Sequence, residues 1–167
     1  MTRILALAAA LFIALSASLA AQEGGREGAS GLKVPRFVSF KNSPVNMREG
    51  PSTDTPVKWV YQRKGLPVEI IEEFDNWRKV RDSDGETGWV HRQMLDGART
   101  GLIVGREIAT LHREPDAASP AVAFAQPGLV GRLKRCEGGF CEISARGYTG
   151  WVARAQLWGV YPDEVVE

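Results

Sequence analysis

The side chains that could carry covalent or metal chemistry are few, because the chain has two cysteines, Cys136 and Cys141, and two histidines, His91 and His112. The segment between the cysteines is Glu-Gly-Gly-Phe, and a Gly-Gly pair is typical of a two-residue hairpin turn. Such a turn places the two cysteines opposite each other on neighbouring strands, within disulfide distance. The sequence therefore predicts a Cys136–Cys141 disulfide.

The strands around this hairpin need one irregularity. A regular ladder would set the apolar Ile143 opposite the charged Lys134. We therefore expect a β-bulge or a longer loop near the cysteines. The loop that the disulfide closes is short, so the expected stabilisation is about 2 kcal/mol.

Other chemistries fit these residues less well. A redox-active pair is usually C-x-x-C at the start of a helix, whereas Cys136 and Cys141 lie further apart. A zinc site would need His91 and His112, which show no recognisable ligand spacing, and a Cys–His hydrolase would need an oriented base. The sequence also lacks a paired-carboxylate, phosphate-loop or triad motif. We therefore predict no catalytic residues, no metal site and no cofactor.

Composition limits the class of partner. The chain has 21 basic and 20 acidic residues, a formal net charge of +1, so a broad basic surface for nucleic acid is not expected. The hydrophobic fraction of 44% and the charged fraction of 25% indicate a globular protein and exclude a disordered one.

The first 20 residues have the pattern of a secretory signal peptide. Arg3 precedes an uncharged apolar run over residues 4–15, and small residues, Ser18 and Ala20, stand before a cleavage site preceding Ala21. A membrane anchor is the alternative, because the longer stretch over residues 4–21 approaches the ~18 residues that can span a bilayer. It is rich in alanine and no basic stop follows it, so we predict cleavage.

This pattern predicts an exported protein, in the periplasm or outside the cell, that is not an integral membrane protein after cleavage. Residues 21–32 are rich in glycine and poor in apolar residues, which predicts a flexible linker. An exported protein meets oxidising conditions, which favour the disulfide.

The rest of the chain contains one unit twice. Thr87-Gly88-Trp89-Val90 recurs as Thr149-Gly150-Trp151-Val152, and further matches precede both copies. Each unit has about 60 residues, near the lower limit for folding without help. We predict one domain over 33–98, a second over 99–162 and a C-terminal tail over 163–167.

Both units consist of short runs rich in valine, isoleucine and tryptophan, separated by turn dipeptides. In the first unit these runs are Val57–Gln62, Pro67–Glu73, Trp77–Asp82 and Thr87–His91. Helical periodicity is absent, apart from one possible 3₁₀ turn at 92–95 and another at 154–157. Short strands at close spacing predict small closed barrels, so the fold class is all-β, with two tandem barrels.

The opening of the first unit, Asn46-Met47-Arg48-Glu49-Gly50-Pro51-Ser52, resembles the N-x-R-x-G-P-S opening of bacterial SH3-like domains. Gly88-Trp89-Val90 is similar to their G-W-V strand. In the second unit the opening diverges, with Thr110 and His112 in place of Asn46 and Arg48. The resemblance implies two small SH3-like barrels in an exported protein that acts at the cell wall. It also implies a cell-wall glycopeptide or an envelope protein as the partner.

Positions that recur in both units are candidates for the scaffold. Gly88 and Gly150 would allow close approach of strands, and Trp89 and Trp151 would bury large rings. Opposite-charge residues, Glu73 and Arg78, align with the two cysteines and would pair across the corresponding hairpin. Three aligned apolar pairs are assigned to the two cores: Val60 with Phe124, Ile70 with Leu133, and Val80 with Ile143.

Positions that differ between the units are candidates for ligand contact. Trp59 and Tyr61 flank Val60, so we expect both rings on the strand face opposite the core, whereas the second unit has Ala123 and Ala125 there. The two rings could stack on a sugar or a peptide, or they could pack against the second barrel.

Asn46 and Arg48 could also contact a ligand, although polar residues in such motifs more often tie a loop to the barrel through hydrogen bonds to backbone. The sequence thus predicts an exported, non-enzymatic binding module of the bacterial envelope that recognises peptidoglycan or a wall-associated protein. The alternative is a periplasmic protein–protein adaptor without a glycan ligand.

Overall fold

The computed structural model describes residues 25–166. The predicted signal peptide over 1–20 lies outside the described residues, as does the start of the predicted linker. Within the described range the regular structure consists of sixteen strands and two 3₁₀ turns, so the all-β prediction is confirmed. No helix in this part of the chain is long and apolar enough to cross a membrane.

The first barrel is a seven-stranded antiparallel sheet. Its strands are β3 (Arg36–Phe40), β4 (Val45–Arg48), β5 (Val57–Tyr61), β6 (Pro67–Phe74), β7 (Trp77–Arg81), β8 (Thr87–His91) and β9 (Leu95–Asp96), with a 3₁₀ turn at Arg92–Met94 before β9. Their order in the sheet is β5-β4-β8-β7-β6-β3-β9. The four strands and the 3₁₀ turn predicted for this unit agree with the observed ones to within one residue at either end.

The second barrel repeats this arrangement. Its strands are β10 (Thr100–Ile103), β11 (Ala109–His112), β12 (Ala121–Ala125), β13 (Val130–Glu137), β14 (Phe140–Ala145), β15 (Tyr148–Ala153) and β16 (Leu157–Trp158), with a 3₁₀ turn at Arg154–Gln156. Their order in the sheet is β12-β11-β15-β14-β13-β10-β16. The prediction of two tandem SH3-like barrels is therefore confirmed.

Each sheet bends around its own apolar core. The ladder shifts register between Met47 and Arg48 and between Leu111 and His112, at equivalent places in the two barrels. Such bulges increase the local twist, which helps a short sheet to curl over its core. The two cores are separate clusters, one containing Met47 and the other Leu111.

Two of the three predicted core pairs are buried, Ile70 with Leu133 and Val80 with Ile143. The third assignment is wrong, because Val60 is 42% exposed and Phe124 is 71% exposed.

The ladder between β4 and β5 explains this error. Residues directly opposite each other in a sheet share a face. Trp59 lies opposite Met47 and Tyr61 lies opposite Val45, and both of these β4 partners are fully buried. The face of β5 that carries Trp59 and Tyr61 is therefore the core-facing one, and Val60 faces outward.

The described part of the predicted linker is structured. Strand β1 (Arg26–Glu27) pairs with β2 (Lys33–Val34) in a small hairpin, and Val34 is buried in the first core. Ser30 at its turn donates a backbone and a hydroxyl hydrogen bond to the carboxylate of Glu73, at 2.7 and 2.9 Å. Residues 25–32 therefore differ from the predicted flexible linker.

The segment predicted as a C-terminal tail also packs on a barrel. Val166 is buried in the second core, and its carbonyl accepts a hydrogen bond from the backbone N–H of Cys136. Glu164 forms an ion pair with Arg99. The last described residues therefore complete the second barrel.

The two barrels contact each other through aromatic rings. Phe37 packs against Trp158 and Tyr161, with ring centroids 5.1 and 4.7 Å apart. The Tyr161 hydroxyl donates to Glu69 at 2.8 Å, and burial followed by this hydrogen bond raises the pKa of Tyr161. The junction therefore uses these three rings rather than the Trp59 and Tyr61 pair.

Candidate functional site

An exposed groove lies on the first barrel beside the edge strand β5. This first groove has a volume of about 290 Å³ and is lined by Trp59, Tyr61, Leu66, Val68, Asp82 and Asp84, together with Leu102 from the second barrel. It contains both aromatic residues that the sequence singled out.

The two aromatic residues have different environments. Trp59 is 57% exposed, because β5 is the edge strand and no further strand covers the ring. Tyr61 is buried against Phe40, with ring centroids 4.7 Å apart, so the expectation that both rings lie outside the core is wrong for Tyr61. Trp59 is thus the ring of this pair that is available to a ligand.

Carboxylates give the first groove a negative potential. Asp82 is buried, accepts the Tyr61 hydroxyl at 2.7 Å, and accepts the backbone N–H groups of Asp84 and Glu86. Burial, then the hydrogen bond to Asp82, then the charges of all three carboxylates raise the pKa of Tyr61 well above its usual range. Asp84 is exposed at the rim, whereas Glu86 pairs with Lys58 at 2.8 Å.

The second barrel has a groove at the corresponding place, with different walls. This second groove has a volume of about 370 Å³ and is lined by Leu111, Val122, Ala123, Phe124, Ala125, Leu129, Ala145, Arg146 and Tyr148. Ala123 and Ala125 lie opposite core residues of β11, as Trp59 and Tyr61 do in the first barrel. Duplication has therefore left two equivalent grooves with different chemistry.

Arg48 and its aligned residue His112 hold equivalent loops. Arg48 donates to the carbonyl of Thr55 at 2.6 Å, and Nδ1 of His112 lies 2.8 Å from the carbonyl of Ser119. Asn46 is exposed on the outer face of β4, opposite Val60. Neither Arg48 nor Asn46 lines the first groove.

The Gly-Trp-Val strands pack closely against their neighbours. A Cβ atom on Gly88 would lie 2.8 Å from the carbonyl oxygen of Arg48, and one on Gly150 would lie 2.9 Å from Cβ of Leu111. Such distances leave no room for a side chain. Trp89 and Trp151 are buried on the outer face of the sheet, beneath Lys79 and Arg135 respectively.

The predicted disulfide is confirmed. Cys136 and Cys141 lie directly opposite each other, with their Cα atoms 4.0 Å apart and a bonded S–S distance of 2.07 Å. The expected irregularity is a register shift that leaves Lys134 without a partner and pairs Ile143 with Leu133.

The equivalent hairpin of the first barrel holds a buried ion cluster that sequence reasoning identified only in part. Glu73 lies opposite Arg78, as expected, and their side chains pair at 3.0 Å. Arg36 also binds the Glu73 carboxylate, at 2.6 Å, and the carboxylate is completely buried. Burial alone would raise the pKa of Glu73, but hydrogen bonds from Arg36 and Ser30 outweigh it and lower the pKa.

Two small antiparallel barrels, each with its own core and its own groove beside an edge strand, define a tandem SH3-like protein. The profile of the bacterial SH3 domain matches residues 41–97 and again residues 105–159. Because these matches cover more than half of the sequence, the chain belongs to the bacterial SH3 domain family. Its members are binding modules, often associated with the cell wall.

Solved structures of NlpC2 and NlpC1 from Trichomonas vaginalis are similar to the chain at 17% and 16% sequence identity, with TM-scores of 0.34 and 0.33. The similarity covers 74% and 78% of this chain and 48% of each solved chain, so the chain spans about half the length of these proteins. No curated protein matches the sequence.

Proposed function

We propose that the chain is an exported, non-enzymatic recognition module of the bacterial envelope, and that the first groove binds a peptidoglycan glycopeptide. The observation that carries this proposal is the exposed Trp59 ring beside an acidic rim. An indole face stacks on sugar rings and attracts ammonium groups. A wall glycopeptide presents sugars and peptide amino groups together, which suits this pairing of ring and carboxylates.

The rest of the first groove supports the same use. Asp82 is held by three hydrogen bonds, so its carboxylate has a fixed position in the groove, while Asp84 at the rim is open to a ligand. Leu66, which is partly exposed, adds apolar surface to the same groove. A rigid aromatic and acidic groove reduces the ordering cost of binding.

Contacts of the cysteines and histidines support a non-enzymatic function. Both cysteines are in the disulfide, so neither is a thiol nucleophile. His91 accepts the backbone N–H of Gln93 and packs on Trp77, and His112 binds the loop carbonyl of Ser119. In residues 25–166, no group of three or more His, Cys, Asp or Glu side chains could hold a metal ion.

The test is co-sedimentation of the purified protein with purified sacculi, comparing wild type with Trp59→Ala. Val60→Ala is the matched control, because Val60 is the next residue on the strand and is exposed on the other face. We expect Trp59→Ala to lower the retained fraction at least about fivefold, as for loss of a stacked aromatic contact, with an unchanged Tm. Equal retention of wild type and Trp59→Ala would contradict the proposed site.

A periplasmic protein–protein adaptor is the second candidate. The observation that favours it is the presence of an uncovered edge strand in each sheet, β5 and β12, to which an extended partner can add. Crosslinking in cells separates the candidates, because it traps glycan in one case and a single defined protein in the other.

A further inference from the structure

The second groove continues into a neighbouring cavity. A space of about 670 Å³ borders it and shares Phe124, Ala125, Leu129 and Arg146 with it. Arg63, from the first barrel, lines this neighbouring space and donates to the carbonyl of Gly128 at 2.6 Å. The two cavities therefore form one continuous depression on the second barrel, bordered by a residue of the first.

The second-groove part of this depression has apolar walls and exposed aromatic rings, whereas the neighbouring cavity is lined mostly by polar groups. Alanines stand at 123, 125 and 145, where the first barrel has Trp59, Tyr61 and Asp82, and their small side chains leave the space open. Phe124 is 71% exposed and Tyr148 is 58% exposed beside it. Two exposed rings beside an open apolar cavity are typical of a binding surface.

The two charged residues that line the depression are both positive. Arg146 and Arg63 are exposed and line it, and no aspartate or glutamate is among its lining residues. Within the described part of the chain, neither arginine forms a salt bridge. The equivalent first groove is lined by aspartates, so the charged residues of the two grooves differ in sign.

The depression also lies along an uncovered strand. Phe124 and its neighbours belong to β12 (Ala121–Ala125), which pairs with β11 on one side and forms the edge of the sheet on the other. An edge strand offers backbone N–H and C=O groups to an extended peptide. The side chains of such a peptide would alternate between the apolar cavity and the solvent face.

We infer that this depression is a docking site for an extended acidic peptide segment of a partner protein, which adds to the free edge of β12. Carboxylates of the peptide pair with Arg146 and Arg63, because arginine binds carboxylate through two parallel hydrogen bonds. Apolar side chains between the carboxylates fill the space above Ala123 and Ala125. The site is separate from the first groove and differs from it in the ligand that it selects.

The test uses the full chain and two fluorescein-labelled synthetic peptides. One has a central Val-Ser-Val segment flanked on each side by two glutamates, and the other has glutamine in place of every glutamate. Fluorescence anisotropy at low salt should show the glutamate peptide binding at least about tenfold more tightly than the glutamine peptide. The affinity should fall as salt is added, because exposed charge pairs are screened.

Two variants on the second barrel locate the binding. Arg146→Asn removes the charge, and asparagine tolerates the backbone φ of 50° at this position. Ala123→Trp places in the cavity the ring that the first barrel carries. Each variant should lower the affinity for the glutamate peptide about tenfold without changing the Tm of the protein. Val60→Ala and Trp59→Ala should leave this affinity unchanged.

Equal affinity for the two peptides would overturn the inference, as would full binding by Arg146→Asn and Ala123→Trp. Loss of peptide binding in Trp59→Ala would place the contact in the first groove and overturn it too. If the protein bound anionic lipid vesicles but not the glutamate peptide, the inference would be overturned, and the two arginines would be assigned to binding a membrane surface. None of these results affects the retention on sacculi that tests the first groove.

Discussion

The two barrels close the same hairpin in different ways. In the first barrel the aligned positions hold Glu73 and Arg78, and a third residue, Arg36, completes a buried ion cluster. In the second barrel the same positions hold the Cys136–Cys141 disulfide. The cores beneath them keep equivalent residues, so the hairpin tip can exchange a buried charge cluster for a covalent bond without a change of fold.

The exchange also changes the partner of a neighbouring arginine. Arg36 and Arg99 occupy equivalent places in the two barrels. Arg36 lies opposite the core residue Ile70 of β6, and the carbonyl of Arg99 accepts the backbone N–H of the core residue Leu133 of β13. Arg36 binds Glu73, whereas Arg99 binds Glu164 from the C-terminal segment. Loss of a glutamate at the hairpin is thus compensated by a residue from beyond the repeat.

Segments outside the repeated unit therefore complete each barrel. The N-terminal hairpin supplies Ser30 to the Glu73 carboxylate of the first barrel. The C-terminal segment supplies Glu164 and the buried Val166 to the second. Each unit is near the lower size limit for independent folding, and these added segments extend the buried surface.

The largest expected effect is the loss of the buried carboxylate. Glu73→Gln leaves the buried Arg78 and its neighbour Arg36 without a counter-charge, which should lower the free energy of unfolding by about 3–5 kcal/mol. Urea denaturation monitored by tryptophan fluorescence measures the change. Glu72→Gln is the matched control, because Glu72 is an exposed partner of Lys79 and should cost at most about 1 kcal/mol. Equal effects of the two variants would contradict the importance of the cluster.

Removal of the disulfide should have a smaller effect. The Cys136→Ala/Cys141→Ala double variant should lose about 2 kcal/mol, because the closed loop is short and its entropy of closure is modest. The same loss should appear when wild type is reduced with dithiothreitol and then unfolded in urea. The double variant should not respond to reductant, and a wild-type protein equally stable with and without reductant would contradict the role of the bond.

The pH dependence of stability should distinguish the Glu73 ion cluster of the first barrel from the disulfide of the second. The folded pKa of Glu73 is lowered, so its contribution is fully present above the unfolded pKa of about 4.3 and is lost as the pH falls toward the folded value. The difference in stability between wild type and Glu73→Gln should therefore shrink below about pH 4. Glu164 also has a lowered pKa and affects both proteins equally. A difference that does not change with pH would contradict this assignment.

The elements that could be predicted from the sequence depend on local signals. The strands around Trp77 and Trp89 are bounded by turn dipeptides, and the Gly138-Gly139 turn sets the cysteine register. The face of β5 could not be predicted, because Trp59, Val60 and Tyr61 are all apolar and alternation does not choose between the two faces. Pairing with the buried residues of β4 decides it.

Long-range features left no local signal. Arg36 and Glu73 are far apart in the chain, and their pairing follows from the position of β3 beside β6. The second groove arises from the absence of large side chains at Ala123 and Ala125. Alanine carries no reactive group, so these positions give no chemical signal in the sequence. The positive charge beside this groove comes from Arg146, in the turn after β14, and from Arg63 of the first barrel. These two residues are distant in the sequence, and the fold places them at one cavity.

The smallest expected effect is a difference in stability between two variants, in the equivalent loops that Arg48 and His112 hold in the two barrels. The guanidinium of Arg48 makes a charge-assisted hydrogen bond to its loop, so Arg48→Ala should lower the free energy of unfolding by about 1 kcal/mol more than His112→Ala does. Urea denaturation of the two single variants measures both values, and Arg92→Ala serves as a control on an exposed arginine. A larger loss for His112→Ala than for Arg48→Ala would show that the diverged opening of the second unit has gained a contact and would reverse this part of the comparison.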